Sequence, residues 1–346
     1  MKGSMIKKRW IFLIAVLLFL QFYQLPYYYS QPGGAKVLDE VISVDGGFTE
    51  EEGSFMLTTV QMGKANLFFY GWAHLSPYRM IYPEEQLRFE GETDEEYQHR
   101  QLMAMTGSQE IAKIVAYEAA GMFVEYEHKG VLVTSLIEGM PAYDVLQIGD
   151  HIIAVDGEPV ITSEQLIDQL QGMNVTNTVD LTVVREGQEA VIEVGFSPFP
   201  EDMNAPAGRV GIGISAPVTD REVTFDPEVT IDTSQIGGPS AGLMFSLEIY
   251  NQLVEGDITK GYNVAGTGTI NEEGIVGRIG GAGQKVVAAD KAGADYFFAP
   301  NEGGASNSNF AEAKEAAEDI GTDMQIIAVD TFDEALSFLQ SLPKKS

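Results

Sequence analysis

The sequence predicts a multidomain α+β protein with an N-terminal membrane anchor, a β-rich central domain and a C-terminal α/β domain. Three observations support this prediction. An apolar run follows a basic start, short strands and turn signals fill the middle of the chain, and strands alternate with helices in the last third. With 346 residues, the chain has room for two or three domains.

The composition is that of a globular protein with an unusually acidic body. Hydrophobic residues make up 45% and charged residues 21% of the chain. The net charge is −30, and four basic residues lie among the first nine. The rest of the chain therefore has 17 basic and 51 acidic residues, a net charge of −34. Such a body is repelled by nucleic acid and by anionic lipid headgroups, which excludes nucleic acid as a partner.

The sequence provides few ligands for a transition metal. It contains no cysteine, which excludes disulfides, thiolate nucleophiles and cysteine-ligated zinc. Its four histidines form no H-E-x-x-H or similar pair. We therefore expect no metal site.

Residues 1–9 are predicted to be a cytoplasmic basic tail and residues 10–29 a transmembrane signal-anchor. The flanks favour this orientation, since basic residues precede the apolar run and the tyrosines at 27–29 suit the far interface. A cleaved signal peptide is the alternative, with Gly33-Gly34-Ala35 as its small-x-small site. Either reading places the rest of the chain outside the cytoplasmic membrane, and the linker is predicted to start at Ser30.

The middle of the chain has the strand and turn order of a small β-rich domain. A strand at 130–136 precedes a G-x-P-A turn, Gly149-Asp150 leads into the next strand, and Asp156-Gly157 is a strong hairpin signal. A helix and a second hairpin about Glu186-Gly187 follow. This stretch resembles a PDZ domain, and the domain is assigned to residues 120–200.

The resemblance to PDZ domains implies a sheet edge beside a helix, where an extended peptide can add a strand. The candidate peptide-binding segment is Gly121-Met122-Phe123-Val124. Residues 30–119 are predicted to be a membrane-proximal region that packs with the PDZ domain. A PDZ fold that serves only as a spacer is the alternative.

The most reactive candidate in the chain is Ser240, in the loop Gly237-Gly238-Pro239-Ser240-Ala241-Gly242 that precedes a long apolar run. A serine nucleophile needs a base, and no histidine follows residue 151. Lys285 is the best local candidate because it begins a helix and precedes apolar residues. Burial and the helix N-terminus both favour a neutral amine.

Residues from about 205 to 342 resemble the proteolytic domain of the Lon family of Ser-Lys peptidases, and the domain is assigned to 201–346. The motifs GGPSAG and GTGTINEEGIVGRIGGAGQKVVAADKAGAD support this in order and spacing. The resemblance implies that Ser240 is the nucleophile, that Lys285 is the general base, and that Thr267 orients Lys285. The oxyanion is expected on backbone N–H groups around Ser240 and the preceding turn, with Gly238 and Pro239 as candidates for the oxyanion loop. Gly237 departs from the family pattern, since many members have an aspartate there.

The resemblance implies an ATP-independent serine endopeptidase of the membrane-anchored, PDZ-containing branch (SepM/YlbL type). No G-x-x-x-x-G-K-[ST] motif occurs in the sequence. The substrates implied are secreted or extended peptides and proteins, bound outside the cytoplasmic membrane without a cofactor. A homo-oligomer is plausible because the family's peptidase domains often form rings. The alternative is an inactive peptidase fold that serves as a PDZ scaffold for extracellular peptide segments.

Overall fold

A computed structural model describes residues 10, 20–50, 52–89, 91–200, 208–233 and 236–345. The chain divides into two compact units. One combines Met1–Val124 with Phe225–Ser346, and we call it the discontinuous unit. The other, Glu125–Thr224, is inserted between these two segments, and we call it the inserted unit.

Most strands and helices of the described residues are short. The longest are the strands at 24–37 and 54–66 and the helix at 94–119. The strands are, in chain order, Gln24–Val37 (β1), Ile42–Val44 (β2), Ser54–Asn66 (β3), Met80–Pro83 (β4), Val124–Leu132 (β5), Ser135–Leu136 (β6), His151–Val155 (β7), Glu158–Pro159 (β8), Thr178–Arg185 (β9), Gln188–Gly195 (β10), Ser197–Pro198 (β11), Val210–Gly211 (β12), Ile214–Ser215 (β13), Val218–Phe225 (β14), Val229–Ile231 (β15), Asn263–Gly266 (β16), Thr269–Ile270 (β17), Val276–Gly277 (β18), Tyr296–Pro300 (β19) and Gln325–Val329 (β20). The α-helices are Leu67–Ala73 (α1), Asp94–Ala119 (α2), Ser163–Leu170 (α3), Gly242–Leu253 (α4), Ala282–Lys291 (α5), Asn309–Ile320 (α6) and Phe332–Ser341 (α7).

A six-stranded mixed sheet with the order β20-β19-β16-β3-β1-β4 is the centre of the discontinuous unit. The four strands from β20 to β3 are parallel to their neighbours, and β1 is antiparallel to both β3 and β4. The register of β3 with β16 pairs Ser54 with Asn263 and Leu57 with Gly266. This pairing joins the N-terminal strands to the C-terminal ones. The predicted packing of residues 30–119 with the PDZ domain stays a prediction, while β1, β3 and β4 belong to the sheet of the discontinuous unit.

Three helices of the discontinuous unit, α2, α4 and α5, carry a reactive candidate or lie next to one. Helix α4 is buried along almost its whole length and packs against α2. Helix α2 begins with a capping box, in which Thr93 and Glu96 satisfy each other's backbone N–H groups. Helix α5 packs on the sheet through a core that includes Met56, Ala265 and Val286. These contacts fix α2, α4 and α5 relative to the sheet.

The N-terminal part of the sheet corrects the predicted end of the membrane anchor. Residues 11–19, which contain most of the predicted span's apolar run, lie outside the described residues. Residues 24–29 and the predicted linker from Ser30 belong to β1, where Tyr28 is buried, so these residues form a strand of the sheet instead of the end of a span and a linker. Among the described residues, no helix combines the length and apolar character that a membrane crossing requires.

The inserted unit has a six-stranded sheet with the order β10-β9-β7-β5-β14, in which β8 also pairs with β7, and one α-helix, α3, among its described residues. Asp156 and Gly157, with φ of 49° and 81°, join β7 to β8, and Glu186 and Gly187, with φ of 51° and 77°, join β9 to β10. Two positive φ values in a two-residue loop match the right-handed twist of a hairpin. Both predicted hairpins are confirmed.

Asp150 is a stabilising centre of the inserted unit. Its carboxylate is 1% exposed, accepts two 2.7 Å hydrogen bonds from Arg185 and accepts a third from the backbone N–H of Gln147. Burial alone would raise the pKa of Asp150, but the hydrogen bonds from Arg185 and Gln147 outweigh burial and hold that pKa below its usual value.

Replacing Asp150 by alanine is therefore expected to lower the free energy of unfolding of the inserted unit by about 3 kcal/mol, because Arg185 and a backbone donor lose their acceptor. Hydrogen exchange of the full chain in urea measures this. The exposed Glu189→Ala is the matched control, and equal effects of the two substitutions would contradict the assignment.

Candidate active site

Ser240 lies in the loop that connects β15 to α4. Gly238 has a φ of +89°, which a residue with a side chain rarely adopts, so this glycine permits the turn. The N-cap of α4 is Ala241, and no side chain caps the helix. The hydroxyl of Ser240 is thus not used as a helix cap. It points instead to Lys285.

Lys285 approaches Ser240 from α5, of which it is the fourth residue. Its Nζ lies 2.7 Å from Ser240 Oγ and 2.8 Å from Thr267 Oγ1. The side chain is 2% exposed, and this burial lowers the pKa of Lys285 to about 7 from an ordinary value of 10.5. A substantial fraction of the amine is therefore neutral near pH 7, and a neutral amine can accept the proton of Ser240 Oγ.

Thr267 connects the lysine to the serine loop. Its hydroxyl donates to the backbone carbonyl of Ser240 at 2.9 Å and accepts from Lys285 Nζ. Its own backbone N–H donates to the carbonyl of Phe298 at 3.0 Å, which holds Thr267 next to β19. The geometry brings together all three residues predicted from the sequence as nucleophile, base and orienting group.

Thr267→Val is expected to lower kcat/KM by roughly 10- to 100-fold, because the buried amine of Lys285 loses an acceptor at a cost of about 1–3 kcal/mol. The loss should appear in kcat rather than in KM, since Thr267 does not line the cleft beside Ser240. Thr267→Ser keeps the hydroxyl and is expected to retain most of the activity. Steady-state kinetics on an unfolded substrate decide this, and equal rates for both variants would refute the orienting role.

Helix α2 holds the serine loop in place. The N–H of Gly238 donates to the backbone carbonyl of Gln101 at 2.9 Å, and Ser108 Oγ donates to the carbonyl of Pro239 at 3.0 Å. A Cβ on Gly237 would lie 2.9 Å from the Cβ of Gln101. The close approach of α2 is thus a physical reason for glycine at the position where the sequence departs from the family pattern.

The predicted oxyanion loop needs correction. Pro239 has no N–H to donate, and the N–H of Gly238 is bonded to Gln101. The backbone N–H groups of Ser240 and Ala241 have no acceptor among the residues that the structure describes. These two N–H groups are the better donors for an oxyanion. The sequence already indicates this, because Pro239 has no N–H and the next residues in the loop are Ser240 and Ala241.

A cleft of about 1000 Å³ opens beside Ser240. Strands β1 and β3, helix α2 and the serine loop form its walls. Among the residues that the structure describes, no acidic residue lines it, although the chain is strongly acidic. Lys36 and Lys285 are the charged residues of the lining, and its apolar part is Leu57, Val60, Met62, Leu102, Met105 and Ile236.

The histidines do not compete with Lys285 for the role of base. The sequence argument placed all four outside the domain that carries Ser240, but His74 and His99 belong to the discontinuous unit. Both are exposed, and neither lines the cleft. Within the described ranges, no group of three or more His, Cys, Asp or Glu side chains could hold a metal ion.

The predicted peptide-binding segment, Gly121 to Val124, connects α2 to β5. Phe123 is exposed there, and Val124 is the first residue of β5. Strand β5 has β7 and β14 as hydrogen-bonded neighbours, so it is not an edge strand. The main path of the sheet of the inserted unit ends at β10 and β14, and these edges can accept a peptide strand.

Comparisons with known families agree with this division of the chain. Residues 119–195 match the PDZ domain, and residues 229–341 match the Lon protease (S16) C-terminal proteolytic domain. The chain therefore carries a PDZ domain and a Lon-type proteolytic domain, which supports a serine protease. The second match begins after the inserted unit, whereas the structure adds β1, β3 and α2 to the same unit.

Individual relatives match only parts of the chain. A Lon protease of Mesomycoplasma hyopneumoniae is 27% identical over 147 residues, which are 40% of this chain and 16% of the relative. A probable periplasmic serine endoprotease DegP-like of Bartonella henselae is 35% identical over 82 residues, 24% of this chain and 16% of the relative. The chain thus spans about a sixth of the length of these relatives. The PDZ domain of an SdrC-like protein from Listeria monocytogenes is 28% identical, with a TM-score of 0.23, and covers 26% of this chain and 88% of that one.

Proposed function

We propose that the protein is an ATP-independent serine endopeptidase with a Ser240–Lys285 dyad. The observation that supports this most strongly is the 2.7 Å distance between Ser240 Oγ and the Nζ of a buried lysine. Lowering of the Lys285 pKa to about 7 gives this amine the protonation state that a general base needs. The match to a Lon-type proteolytic domain agrees with the same chemistry.

The proposed reaction follows from the positions of the groups. Ser240 Oγ attacks a peptide carbonyl while its proton passes to the neutral Nζ of Lys285. The N–H groups of Ser240 and Ala241 stabilise the negative charge that develops on the carbonyl oxygen. Protonated Lys285 then returns the proton to the leaving amine, and an acyl-enzyme remains on Ser240. Water, deprotonated by Lys285, releases the acyl group and restores the serine.

The cleft favours an extended and mainly apolar segment as substrate. A volume of about 1000 Å³ holds several side chains, and its described lining has no acidic residue. Since the sequence has no P-loop motif, we propose that the substrates are already unfolded or short. The PDZ domain recruits them at β10 or β14, the open edges of its sheet.

The proposed location is outside the cytoplasmic membrane, with the N-terminal apolar run as an uncleaved anchor in the manner of the SepM/YlbL type. The basic residues before this run and the apolar character of residues 10–20 support this orientation. A relative that matches 24% of this chain is named a probable periplasmic serine endoprotease, which agrees with a location across a membrane. Homo-oligomerisation is part of the proposal.

Incubation of the full chain with unfolded casein, in the absence of nucleotide, tests this function. We expect internal cleavage, identified by mass spectrometry of the fragments, at a rate that added ATP does not change. Folded proteins of about the same size as casein should resist cleavage under the same conditions. Equal fragment release by wild type and a Ser240→Ala variant would refute a serine peptidase, and a requirement for ATP would refute the ATP-independent part.

A further inference from the structure

Aromatic side chains of α1 and β1 form a continuous cluster, which we call the aromatic face: Tyr27, Tyr29, Phe68, Phe69, Tyr70 and Trp72. Tyr29 stacks on Phe69 with 4.3 Å between ring centroids, and Tyr27 meets Tyr70 edge-on at 5.3 Å. Phe68 and Trp72 stack at 6.3 Å. Alternation along β1 explains the arrangement, because Tyr27 and Tyr29 share one side of the strand while Tyr28 is buried on the other.

Exposed apolar side chains surround the aromatic face. Phe68 is 52% exposed, Leu75 in the turn after α1 is 77% exposed, and Phe22 just before β1 is 75% exposed. Tyr23 and Met80 are exposed as well. Strand β4, which begins at Met80, pairs with β1 at Ser30, so these residues lie on elements that are bonded to one another. Concentrated apolar exposure of this kind marks an interaction surface.

The aromatic face is joined directly to the chain that leads out of the apolar N-terminal run. Asn66 is the N-cap of α1 and accepts from the N–H of Phe69 at 2.8 Å. The side-chain amide of the same Asn66 donates to the backbone carbonyl of Gln21 at 2.8 Å. The apolar run ends at Leu20, one residue before this contact. The start of α1 and the end of the apolar run are therefore held together.

We propose that the aromatic face binds the lipid–water interface of the bilayer in which the N-terminal run is anchored. The proposal rests on the proposed membrane anchor. Tryptophan and tyrosine are the residues that membrane–water interfaces favour, and this face offers both beside exposed phenylalanine and leucine. The guanidinium of Arg79 lies over the Trp72 ring, 3.4 Å from its centroid, where a cation suits the phosphates of lipid headgroups.

The charge of the chain selects the kind of bilayer. A body with a net charge of −34 is repelled by anionic headgroups, so the aromatic face must bind through apolar contact with zwitterionic lipid. The same repulsion acts between two copies of the chain and opposes a dimer through this face. The bilayer is therefore the occupant that we propose.

Docking of the aromatic face places the cleft close to the membrane surface. Strand β1 contributes Tyr29 to the aromatic face and Gly33 to the lining of the cleft. Gly33 lies four positions along the strand from Tyr29, roughly 13 Å at about 3.3 Å per residue. The substrate class that this position favours is a polypeptide segment that emerges from, or lies on, the outer surface of the bilayer.

The two tryptophans of the chain make a direct test possible, since Trp72 lies in the aromatic face and Trp10 in the apolar run. A Trp10→Phe variant of the full chain, in nanodiscs of zwitterionic lipid, has Trp72 as its single tryptophan. Lipids brominated near the headgroup end of the acyl chain are expected to quench about half or more of its fluorescence, because an interfacial side chain reaches about 5–10 Å into that region. Phe68→Ser in the same background is expected to reduce the quenching, and the exposed Ile148→Ser of the inserted unit is the control that leaves it unchanged.

Failure of the docking and failure of the anchor are distinguishable. The Trp72→Phe variant reports Trp10, which begins the proposed span beside the basic tail, and its quenching by lipid brominated near the headgroup end tests the anchor independently. Quenched Trp10 with unquenched Trp72 would overturn the proposed docking and leave the anchor intact. Burial of Trp72 away from solvent that depends on protein concentration and not on lipid would also overturn the proposed docking. It would indicate that a second copy of the chain covers the aromatic face. Neither measurement depends on peptidase activity.

Discussion

Replacing Ser240 by alanine is expected to lower kcat/KM on unfolded casein by a factor of roughly 10⁴ to 10⁶. The reason is that Ser240 Oγ is the atom that bonds to the substrate carbonyl. Of the Ser240 and Thr267 hydroxyls, which lie 2.7 and 2.8 Å from Lys285 Nζ, only that of Ser240 belongs to a residue of the cleft lining. Residual hydrolysis would come from the oxyanion donors and from binding alone. Fragment release, followed by fluorescence of a labelled substrate, measures the loss.

A matched control and a second readout make the Ser240 prediction specific. Ser246 is buried in α4, where its hydroxyl donates to the carbonyl of Gly242. Ser246→Ala changes the same atom in the same helix region and is expected to keep the rate within about threefold. A serine-directed fluorophosphonate should label wild type and Ser246→Ala, but not Ser240→Ala. Labelling of Ser240→Ala at wild-type level would place the nucleophile elsewhere.

Replacing Lys285 by methionine is expected to lower kcat/KM by at least about 10² to 10⁴, the usual contribution of a general base. Methionine fills a similar volume without a proton acceptor. Lys285→Arg is expected to be as inactive, because a guanidinium remains protonated throughout the working range and cannot accept the proton of Ser240. Lys291→Met, an exposed lysine at the end of the same helix, is the control. An active arginine variant would show that only a positive charge is required.

The same substitution has a stability consequence with a definite sign. The pKa of Lys285 is about 7 in the folded protein and 10.5 in the unfolded chain, so folding releases a proton between these values. Wild type therefore loses stability as the pH falls from 10.5 towards 7, while Lys285→Met does not. We expect the difference in free energy of unfolding between the two proteins to change by about 2 kcal/mol between about pH 9 and about pH 7.5. Urea unfolding at both pH values measures it.

The reactive residues could be predicted from the sequence because they lie in two local motifs. Ser240 follows a Gly-Gly-Pro turn, and Lys285 opens a helix with an apolar face. The structure places their reactive atoms within hydrogen-bonding distance across 45 residues of chain. The hairpins of the inserted unit were predictable for the same reason, since each turn requires two residues with positive φ and the sequence offers Asp156-Gly157 and Glu186-Gly187.

The walls of the cleft could not be predicted because they come from distant parts of the chain. Strands β3 and β16 pair in parallel, with Ser54 opposite Asn263. No local sequence pattern predicts this pairing, because the sequence of a strand does not identify its neighbour. As a result, β1 and β3 were assigned to a separate region, although they line the cleft. Strand β1 was also difficult to predict, because it contains Pro26 and Pro32 and proline is disfavoured within strands. Pro32 lies at a register shift before Ala35, where a proline is tolerated in a sheet.

The oxyanion donors illustrate a second limit. The sequence identified the loop, but which N–H groups remain available depends on the contact between Gly238 and the carbonyl of Gln101. That carbonyl comes from α2, more than a hundred residues earlier in the chain. From the sequence alone, only the exclusion of Pro239 as a donor could be predicted, since proline has no N–H.

The pH dependence of kcat/KM tests the central claim, a buried neutral lysine as the base for Ser240, most directly. The claim predicts a rate that rises with pH and reaches a plateau, with an apparent pKa of about 7, because protonated Lys285 cannot accept the serine proton. Thr267→Ser should keep this profile. A rate that is flat from about pH 6 to about pH 10, or a midpoint near the 10.4 of an ordinary lysine, would contradict it.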